Sequence, residues 1–121
     1  MKKLIRMTLS VLSVFVFVTL IGCKKINVPD GTPNCIKKKI RQIQSDGVAN
    51  PPSSVWKYDF HGETVYYIPA RCCDIGSQLY DKNCNLICSP DGGISGSGDG
   101  NCPDFFKDRT NEQLIWQDER K

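Results

Sequence analysis

Oxygen ligands suited to a hard cation are concentrated in the glycine-rich stretch CSPDGGISGSGDGNCPDF, residues 88–105. The side chains there that could bind calcium are Asp91, Asp99, Asn101 and Asp104. Its five glycines also leave backbone carbonyls accessible, as calcium sites often require. The acidic residues do not follow the EF-hand spacing, no glutamate closes the loop, and a single copy cannot stack as β-roll repeats do. We therefore expect no bound metal or cofactor, with calcium as the alternative.

The same stretch has two further interpretations. A phosphate-binding loop requires a lysine after its final glycine and a helix that begins there, and the continuation NCPDF provides neither. A tight irregular loop, in contrast, uses glycine for positive φ and Asp or Asn to close turns. A disulfide between Cys88 and Cys102 would close such a loop and stabilise the fold by about 2–4 kcal/mol. A disulfide-closed scaffold is the favoured prediction.

Cysteine is frequent in this chain of 121 residues, which contains seven. Six of them follow the N-terminal segment: Cys35, Cys72, Cys73, Cys84, Cys88 and Cys102. Because that segment has the features of an export signal, described below, we expect these six to mature in an oxidising compartment and to form disulfides. Adjacent cysteines rarely bond to each other. We therefore expect one of Cys72 and Cys73 to reach Cys35 and the other to reach the second hairpin or the glycine-rich loop.

Other cysteine chemistry is less favoured. The residues of a competing structural zinc site would be Cys72, Cys73, Cys84, Cys88 and Cys102. Thiols in an oxidising compartment are usually bonded as disulfides, which argues against that site. A thioredoxin-like redox site needs the Cys-x-x-Cys spacing, which does not occur in the sequence.

A catalytic set is not visible in the sequence. His61 is the single histidine, and we expect it in an exposed turn beside Gly62. Nucleophilic catalysis that depends on histidine would have to use it. Asp59 and Glu63 flank the turn, but two acids near a hairpin tip are weak evidence for a glycosidase. The prediction is that the chain is not an enzyme.

The N-terminus has the organisation of a lipoprotein signal. Lys2, Lys3 and Arg6 precede an apolar segment of 13 residues from Leu9 to Ile21, which is shorter than the roughly 20 residues of a membrane-spanning helix. The segment ends in Leu-Ile-Gly-Cys, which resembles the lipobox of bacterial lipoproteins. By this resemblance residues 1–22 are removed and Cys23 is acylated. Multiple acyl chains would anchor the protein stably to a membrane, with residues 23–31 as the acylated N-terminus and tether.

The net charge gives no argument for a nucleic-acid partner. The chain has 16 Lys and Arg and 13 Asp and Glu, and removal of the signal leaves 13 of each. The basic residues that remain near the anchor are Lys24, Lys25, Lys37, Lys38, Lys39 and Arg41. We expect them to form a solvated helix face, with attraction to anionic headgroups as a minor alternative.

The predicted domain, residues 32–121, begins with a helix. Thr32 and Pro33 are typical of an N-cap and a first helical position. Three isoleucines follow at i, i+4 and i+7, with basic residues on the opposite face, and the helix is expected to end at Asp46-Gly47. Those isoleucines are Ile36, Ile40 and Ile43.

Two hairpins and a closing strand are predicted after the helix. The stretch SVWKYDFHGETVYYIP predicts a hairpin with a two-residue turn, which places Tyr58 opposite Val65 and Trp56 opposite Tyr67. We expect the resulting aromatic face to receive the helix. A second hairpin is predicted in QLYDKNCNLIC, and residues 112–117 are predicted as a strand. The fold class is therefore α+β, with an N-terminal helix on a small antiparallel sheet that is stapled by disulfides and carries a glycine-rich irregular loop.

The lipobox together with CIKKKIRQI, NPPSSVWKYDFHGETVYYIPARCCD, LYDKNCNLICSPDGGISGSGDGNCPDF and LIWQD resembles a family of small Gram-negative bacterial lipoproteins that carry a cysteine-rich domain of unknown function. The resemblance implies secretion and anchoring, and no assigned activity, catalytic residue or cofactor. It also implies a glycine where Cys84 stands. The remaining five cysteines are an odd number, so either Cys84 pairs with the leftover thiol or one or two cysteines stay free.

The functional hypothesis is a non-catalytic, lipid-anchored module of the cell envelope that binds an unknown protein partner or has a structural role. By resemblance to lipoprotein sorting, Lys24 after the acylated cysteine favours the outer membrane. One alternative is an inhibitor of a secreted protease or lysozyme-like enzyme, since rigid disulfide-closed loops suit insertion into a cleft. The other alternative is a calcium-dependent adhesion or sensing domain.

Overall fold

A computed structural model describes Gly22, residues 25–72 and residues 74–121. The predicted acylation site Cys23, its neighbour Lys24, Cys73 and the predicted signal before Gly22 lie outside these residues. The helices and strands are α1 Asn34–Ser45, β1 Ser54–Phe60, β2 Glu63–Ile68, β3 Gln78–Asp81, β4 Leu86–Cys88, α2 Phe105–Asp108 and β5 Thr110–Gln117. The five strands form an antiparallel sheet in the order β4-β3-β2-β1-β5.

No helix within the described ranges is long and apolar enough to span a membrane.

The helix α1 begins and ends within a residue or two of the prediction. Ile36 and Ile40 are completely buried, and the partly buried Ile43 packs beside them. Pro33 is the N-cap rather than the first helical residue. Thr32 does not cap the helix, because its hydroxyl donates to the Pro29 carbonyl at 2.7 Å and so closes the preceding turn. The sequence therefore predicts the helix correctly but assigns its cap one residue too early.

The β1–β2 hairpin has the predicted register, with Tyr58 opposite Val65 and Trp56 opposite Tyr67. The expectation that α1 packs on this aromatic face is wrong. Tyr58 and Tyr67 lie in a cluster on one face of the sheet, whereas Ile36 and Ile40 pack on the other. That second face is formed by residues of β1, β2, β3 and β5: Val55, Tyr66, Ile68, Tyr80, Ile115 and Trp116. Both faces of the sheet are apolar, so alternation alone does not decide which one a helix covers.

The aromatic face is covered by the short helix α2, which the sequence analysis missed. Phe105 is completely buried there. Its ring centroid lies 5.3 Å from that of Phe60 and 5.5 Å from those of Tyr58 and Tyr67, in edge-on or tilted arrangements that aromatic rings favour. A helix of four residues has no apolar periodicity, so the pattern gave no signal for it.

The closing strand β5 lies beside β1, and the chain beyond it returns to α1. Arg120 donates to the carbonyls of Gln44 at 2.7 Å, Asp46 at 3.2 Å and Ile43 at 3.3 Å. The buried carboxylate of Asp118 accepts two bonds from the same guanidinium. A cation is favourable at this end of a helix, where the last carbonyls lack partners within the helix.

The segment predicted as a tether, residues 23–31, belongs in part to the folded domain. Ile26 is only 8% exposed and lies in the core cluster with Ile36 and Ile40. Val28 packs against the same cluster. A single isoleucine has no periodicity, so no pattern in the sequence indicates that this segment is anchored to the core.

Two disulfides connect distant parts of the fold. The predicted Cys88–Cys102 bond is present, and Cys35 bonds to Cys84. The expectation that Cys35 pairs with Cys72 or Cys73 is therefore wrong, and the zinc site that needs Cys84, Cys88 and Cys102 as thiolates is not formed. Neither the glycine-rich loop nor the second hairpin has a cysteine left for the adjacent pair. Cys72 is itself in a disulfide.

The Cys35–Cys84 bond joins the start of α1 to the turn between β3 and β4. Cys84 has a φ of 62°, in the left-handed region that favours glycine. The family resemblance implies a glycine at this position, and the turn geometry gives the physical reason. Here the residue that bears the strain also forms the disulfide.

Candidate functional site

The candidate site is the glycine-rich loop, residues 89–101, which is held in place by hydrogen bonds and by a disulfide. The Tyr67 hydroxyl donates to the Asp91 carboxylate at 2.8 Å, and the Ser77 amide donates to the Asp91 carbonyl at 2.9 Å. The backbone amide of Ser89 donates to the Asp99 carboxylate at 3.0 Å. The bonds at Asp91 thus fix the loop to β2 and to the residue before β3, whereas the Ser89–Asp99 bond and the Cys88–Cys102 disulfide join the two ends of the loop.

Glycine is required at two positions where the backbone of this loop closely approaches another backbone segment. Gly98 has a φ of 70°, and a β-carbon there would collide with the carbonyl oxygen of Ser89. Gly92 has a φ of 77°, and its β-carbon would lie 2.8 Å from the Ile75 carbonyl oxygen. The two glycines let three backbone segments approach closely, which explains the composition without a ligand.

The tip of the loop presents an apolar side chain to solvent. Ile94 is 93% exposed, the largest exposure among the described large hydrophobic residues. It lies in a tight turn that the Gly96 amide closes by donating to the Gly93 carbonyl at 3.2 Å. The Gly93 amide, next to Ile94 in the chain, donates to the carbonyl of Ile75, which is itself 61% exposed. A rigid loop that displays an apolar side chain is suited to insertion into a partner's pocket.

The three carboxylates that are alternative calcium ligands bond to different partners within the protein. Asp91 accepts from Tyr67, Asp99 accepts from the amides of Ser89 and Asn101, and Asp104 lies 2.9 Å from the His61 ring nitrogen Nε2. The backbone amides of Asn101 and Ser89 hold the pKa of Asp99 below its usual value, because they stabilise the charged carboxylate. Each carboxylate thus already has a role in positioning the loop or a neighbouring element.

A different group of metal-ligating side chains does converge at the β1–β2 turn. Ligand atoms of His61, Asp104 and Asp108 lie within 4.8 Å of one another. His61 Nε2 is 2.9 Å from Asp104 and 3.5 Å from Asp108, and all three side chains are substantially exposed. One imidazole and two carboxylates could bind a transition metal, but the same distances are those of surface ion pairs.

The other acids near this turn do not join that group. The Asp59 carboxylate accepts from the Asn111 side chain at 2.6 Å. Glu63 pairs with Phe60 in the register of the hairpin. His61 lies in the exposed turn that the sequence predicts, but its partners Asp104 and Asp108 carry no sequence signal, because the short helix α2 has no periodic pattern.

The two buried tyrosines of the aromatic face act as hydrogen-bond donors. Burial, assisted by the hydrogen bond to Glu112, raises the pKa of Tyr58 to about 12. Burial and the hydrogen bond to Asp91 raise the pKa of Tyr67 further. Both hydroxyls therefore stay protonated at physiological pH, which suits positioning of Glu112 and Asp91 and does not suit catalysis by a phenolate.

Comparison with protein families gives one finding. A model of a domain of unknown function, DUF6970, matches residues 41–118. No curated protein and no solved structure matches the chain.

Proposed function

The chain belongs to the DUF6970 family, and we propose that it is a lipid-anchored protein of the bacterial cell envelope whose non-catalytic domain binds a protein partner through the glycine-rich loop. The observation that carries the proposal is Ile94, which is 93% exposed at the tip of a loop fixed by a disulfide and by the bonds at Asp91 and Asp99. A side chain held in this way loses little conformational entropy on binding.

The anchor is supported by the lipobox. Leu-Ile-Gly-Cys follows a basic segment and an apolar segment too short to span a membrane. Acylation of Cys23 would fix the domain to a bilayer, and Lys24 after it favours the outer membrane. The disulfides at Cys35, Cys84, Cys88 and Cys102 agree with an oxidising compartment such as the periplasm.

The proposal that the domain is not catalytic is supported by the contacts of the side chains that could take part in catalysis. His61 is paired with two carboxylates on the surface, and Tyr58 and Tyr67 are buried donors. The inhibitor alternative gains less support, because Ile94 lies in a tight turn and a substrate strand in a protease cleft is extended. We therefore propose recognition of a partner's apolar pocket by the loop tip.

The test is photo-crosslinking in the native host with a crosslinking amino acid at position 94. The matched control carries the probe at Leu114, another exposed apolar residue, on β5. We expect a discrete adduct from position 94 that is absent from position 114. Excess purified domain should compete for the adduct, whereas the Ile94→Asp domain should not.

The competitor variant is expected to fold normally, since a fully exposed side chain contributes within about 0.5 kcal/mol to stability. Absence of an adduct at position 94, equal adducts at both positions, or equal competition by Ile94→Asp would each contradict the proposed role of the loop.

A further inference from the structure

The buried position of Ile26 restricts where an acylated Cys23 can lie. Ile26 is part of the core that α1 covers. Cys23 precedes Ile26 by three residues, and a chain extends at most about 3.6 Å per residue, so this link can span at most about 11 Å. A free tether over residues 23–31 would have allowed roughly three times that distance. An acyl anchor at Cys23 therefore holds one particular side of the domain near the bilayer.

That side is formed by the N-terminal segment and the outer surface of α1, which together we name the anchor face. Lys25 and the helix residues Lys37 and Arg41 line one groove on it, together with Ile26 and residues 28–31. Lys38 is exposed on the same helix. Asp30 is the acidic residue that lines this groove. Lys39 has a different role, because its ammonium group lies 4.4 Å from the centre of the Tyr80 ring.

The charges of the chain are strongly segregated between the anchor face and the rest. Positions 24–41 contain six basic residues and one acidic residue, a net charge of +5. Positions 42–121 contain seven basic residues and 12 acidic residues, a net charge of −5. Residues 24–121 are thus neutral overall, but their N-terminal part is positively charged and the remainder is negatively charged. An anionic surface attracts one end of this domain and repels the remainder.

We infer that the anchor face lies on the bilayer and binds anionic lipid headgroups. The inference rests on the proposed acylation of Cys23, which places the lipid beside these cations. Exposed charges act over a Debye length of about 8 Å at physiological salt, so cations at the bilayer surface contribute and distant ones do not. Each lysine or arginine near an anionic leaflet strengthens binding by about fivefold.

The experiment measures co-sedimentation of residues 23–121 carrying Cys23→Ser with vesicles, so that no acyl chain contributes. One vesicle type is phosphatidylcholine alone, and the other contains about 30% phosphatidylglycerol. The test variant is Lys37→Glu/Arg41→Glu. The matched control, Lys57→Glu/Lys107→Glu, changes the net charge by the same amount at positions on β1 and α2, outside the anchor face.

We expect binding to the anionic vesicles only, weakened at least thirtyfold in the anchor-face variant and less than threefold in the control. Circular dichroism and thermal unfolding verify that both variants are folded. Equal losses in the two variants, or equal binding to both vesicle types, would overturn the inference.

Failure of this inference is distinguishable from failure of the proposed anchor. Labelling of the native protein with a palmitate analogue reports acylation of Cys23 independently of the vesicles. Labelling without headgroup binding would refute the anchor face alone. Headgroup binding without labelling would refute the anchor, and with it the premise that orients the domain.

Discussion

The two sides of the sheet are constructed differently. On one side the periodic helix α1 contributes Ile36 and Ile40 to a largely aliphatic cluster. On the other side Phe105, from a helix of only four residues, fills an aromatic cluster that supports the glycine-rich loop. One disulfide closes each side, with a sequence separation of 49 residues for Cys35–Cys84 and 14 for Cys88–Cys102. Periodic structure therefore forms the helix side of the sheet, whereas aromatic rings and local hydrogen bonds fix the irregular loop on the other side.

The largest expected effect tests the aromatic side. Phe105→Ala should reduce the free energy of unfolding by about 3–5 kcal/mol, because the ring is completely buried among three others. Ile40→Ala, on the helix side, should cost about 2–5 kcal/mol. Urea denaturation measures both. A loss below about 1 kcal/mol for Phe105→Ala would show that α2 is not part of the core.

The two disulfides close loops of different length, so their removal should cost different amounts of stability. In the chain-entropy account, removing Cys35–Cys84 costs about 4 kcal/mol and removing Cys88–Cys102 about 3 kcal/mol, because the first closes the longer loop. Double alanine variants measured by the same denaturation test this order. A clearly larger loss for the Cys88–Cys102 pair would mean that native packing, and not loop length, dominates.

Two variants that both lack the Cys35–Cys84 disulfide test the backbone strain of the turn at position 84. Cys35→Ala/Cys84→Gly should be about 1 kcal/mol more stable than Cys35→Ala/Cys84→Ala, since position 84 has a φ of 62°. Equal stability of the two variants would contradict the assignment of strain to this turn. The comparison also tests why glycine is expected at this position.

Within the loop, two glycines with similar backbone conformations should respond differently. Gly96 and Gly98 both have positive φ, but only at Gly98 does an added β-carbon meet the backbone of Ser89. Gly96→Ala should cost about 1 kcal/mol of stability, and Gly98→Ala about 1–3 kcal/mol more. Denaturation and hydrogen exchange of the Asp99 amide measure the difference. Equal losses of stability would mean that the backbone at Gly98 does not pack closely against the backbone of Ser89.

The smallest effect is a pH dependence on the helix side. Arg120 holds the pKa of Asp118 below its usual value, chiefly by hydrogen bonds to the charged carboxylate. A lowered folded-state pKa stabilises the protein above about pH 4 and loses that contribution as pH falls through the folded value. Arg120→Ala should therefore be less stable than wild type at pH 7.

This stability difference should narrow below about pH 4, where Asp118 becomes protonated in the variant. It should not vanish, because Arg120 also binds the helix carbonyls. Lys121→Ala is the control and should leave the pH profile unchanged. A difference that is constant from pH 7 to pH 3 would contradict the role of Asp118.

The sequence predicts those features that depend on local pattern. The helix follows from Ile36, Ile40 and Ile43, and the register of the first hairpin follows from a two-residue turn at His61-Gly62. The Cys88–Cys102 bond was predicted because it closes a local loop.

Features that depend on tertiary packing were not predictable in this way. Alternating strands with two apolar faces did not show which face α1 covers, and a lone Ile26 did not show that it joins the core. Cys35 and Cys84 are 49 residues apart, and their pairing depends on where the second hairpin lies. Phe105 was missed because four helical residues carry no periodicity.

The proposed attachment of the domain to the envelope through Cys23 can be measured from the intact mass of the native protein extracted from membranes with detergent. Alkylation before reduction gives the number of free thiols in the same experiment. We expect a chain that begins at Cys23 with added acyl mass, and with Cys35, Cys72, Cys84, Cys88 and Cys102 protected from alkylation. A chain that retains residues 1–22, or an unmodified Cys23, would refute the attachment.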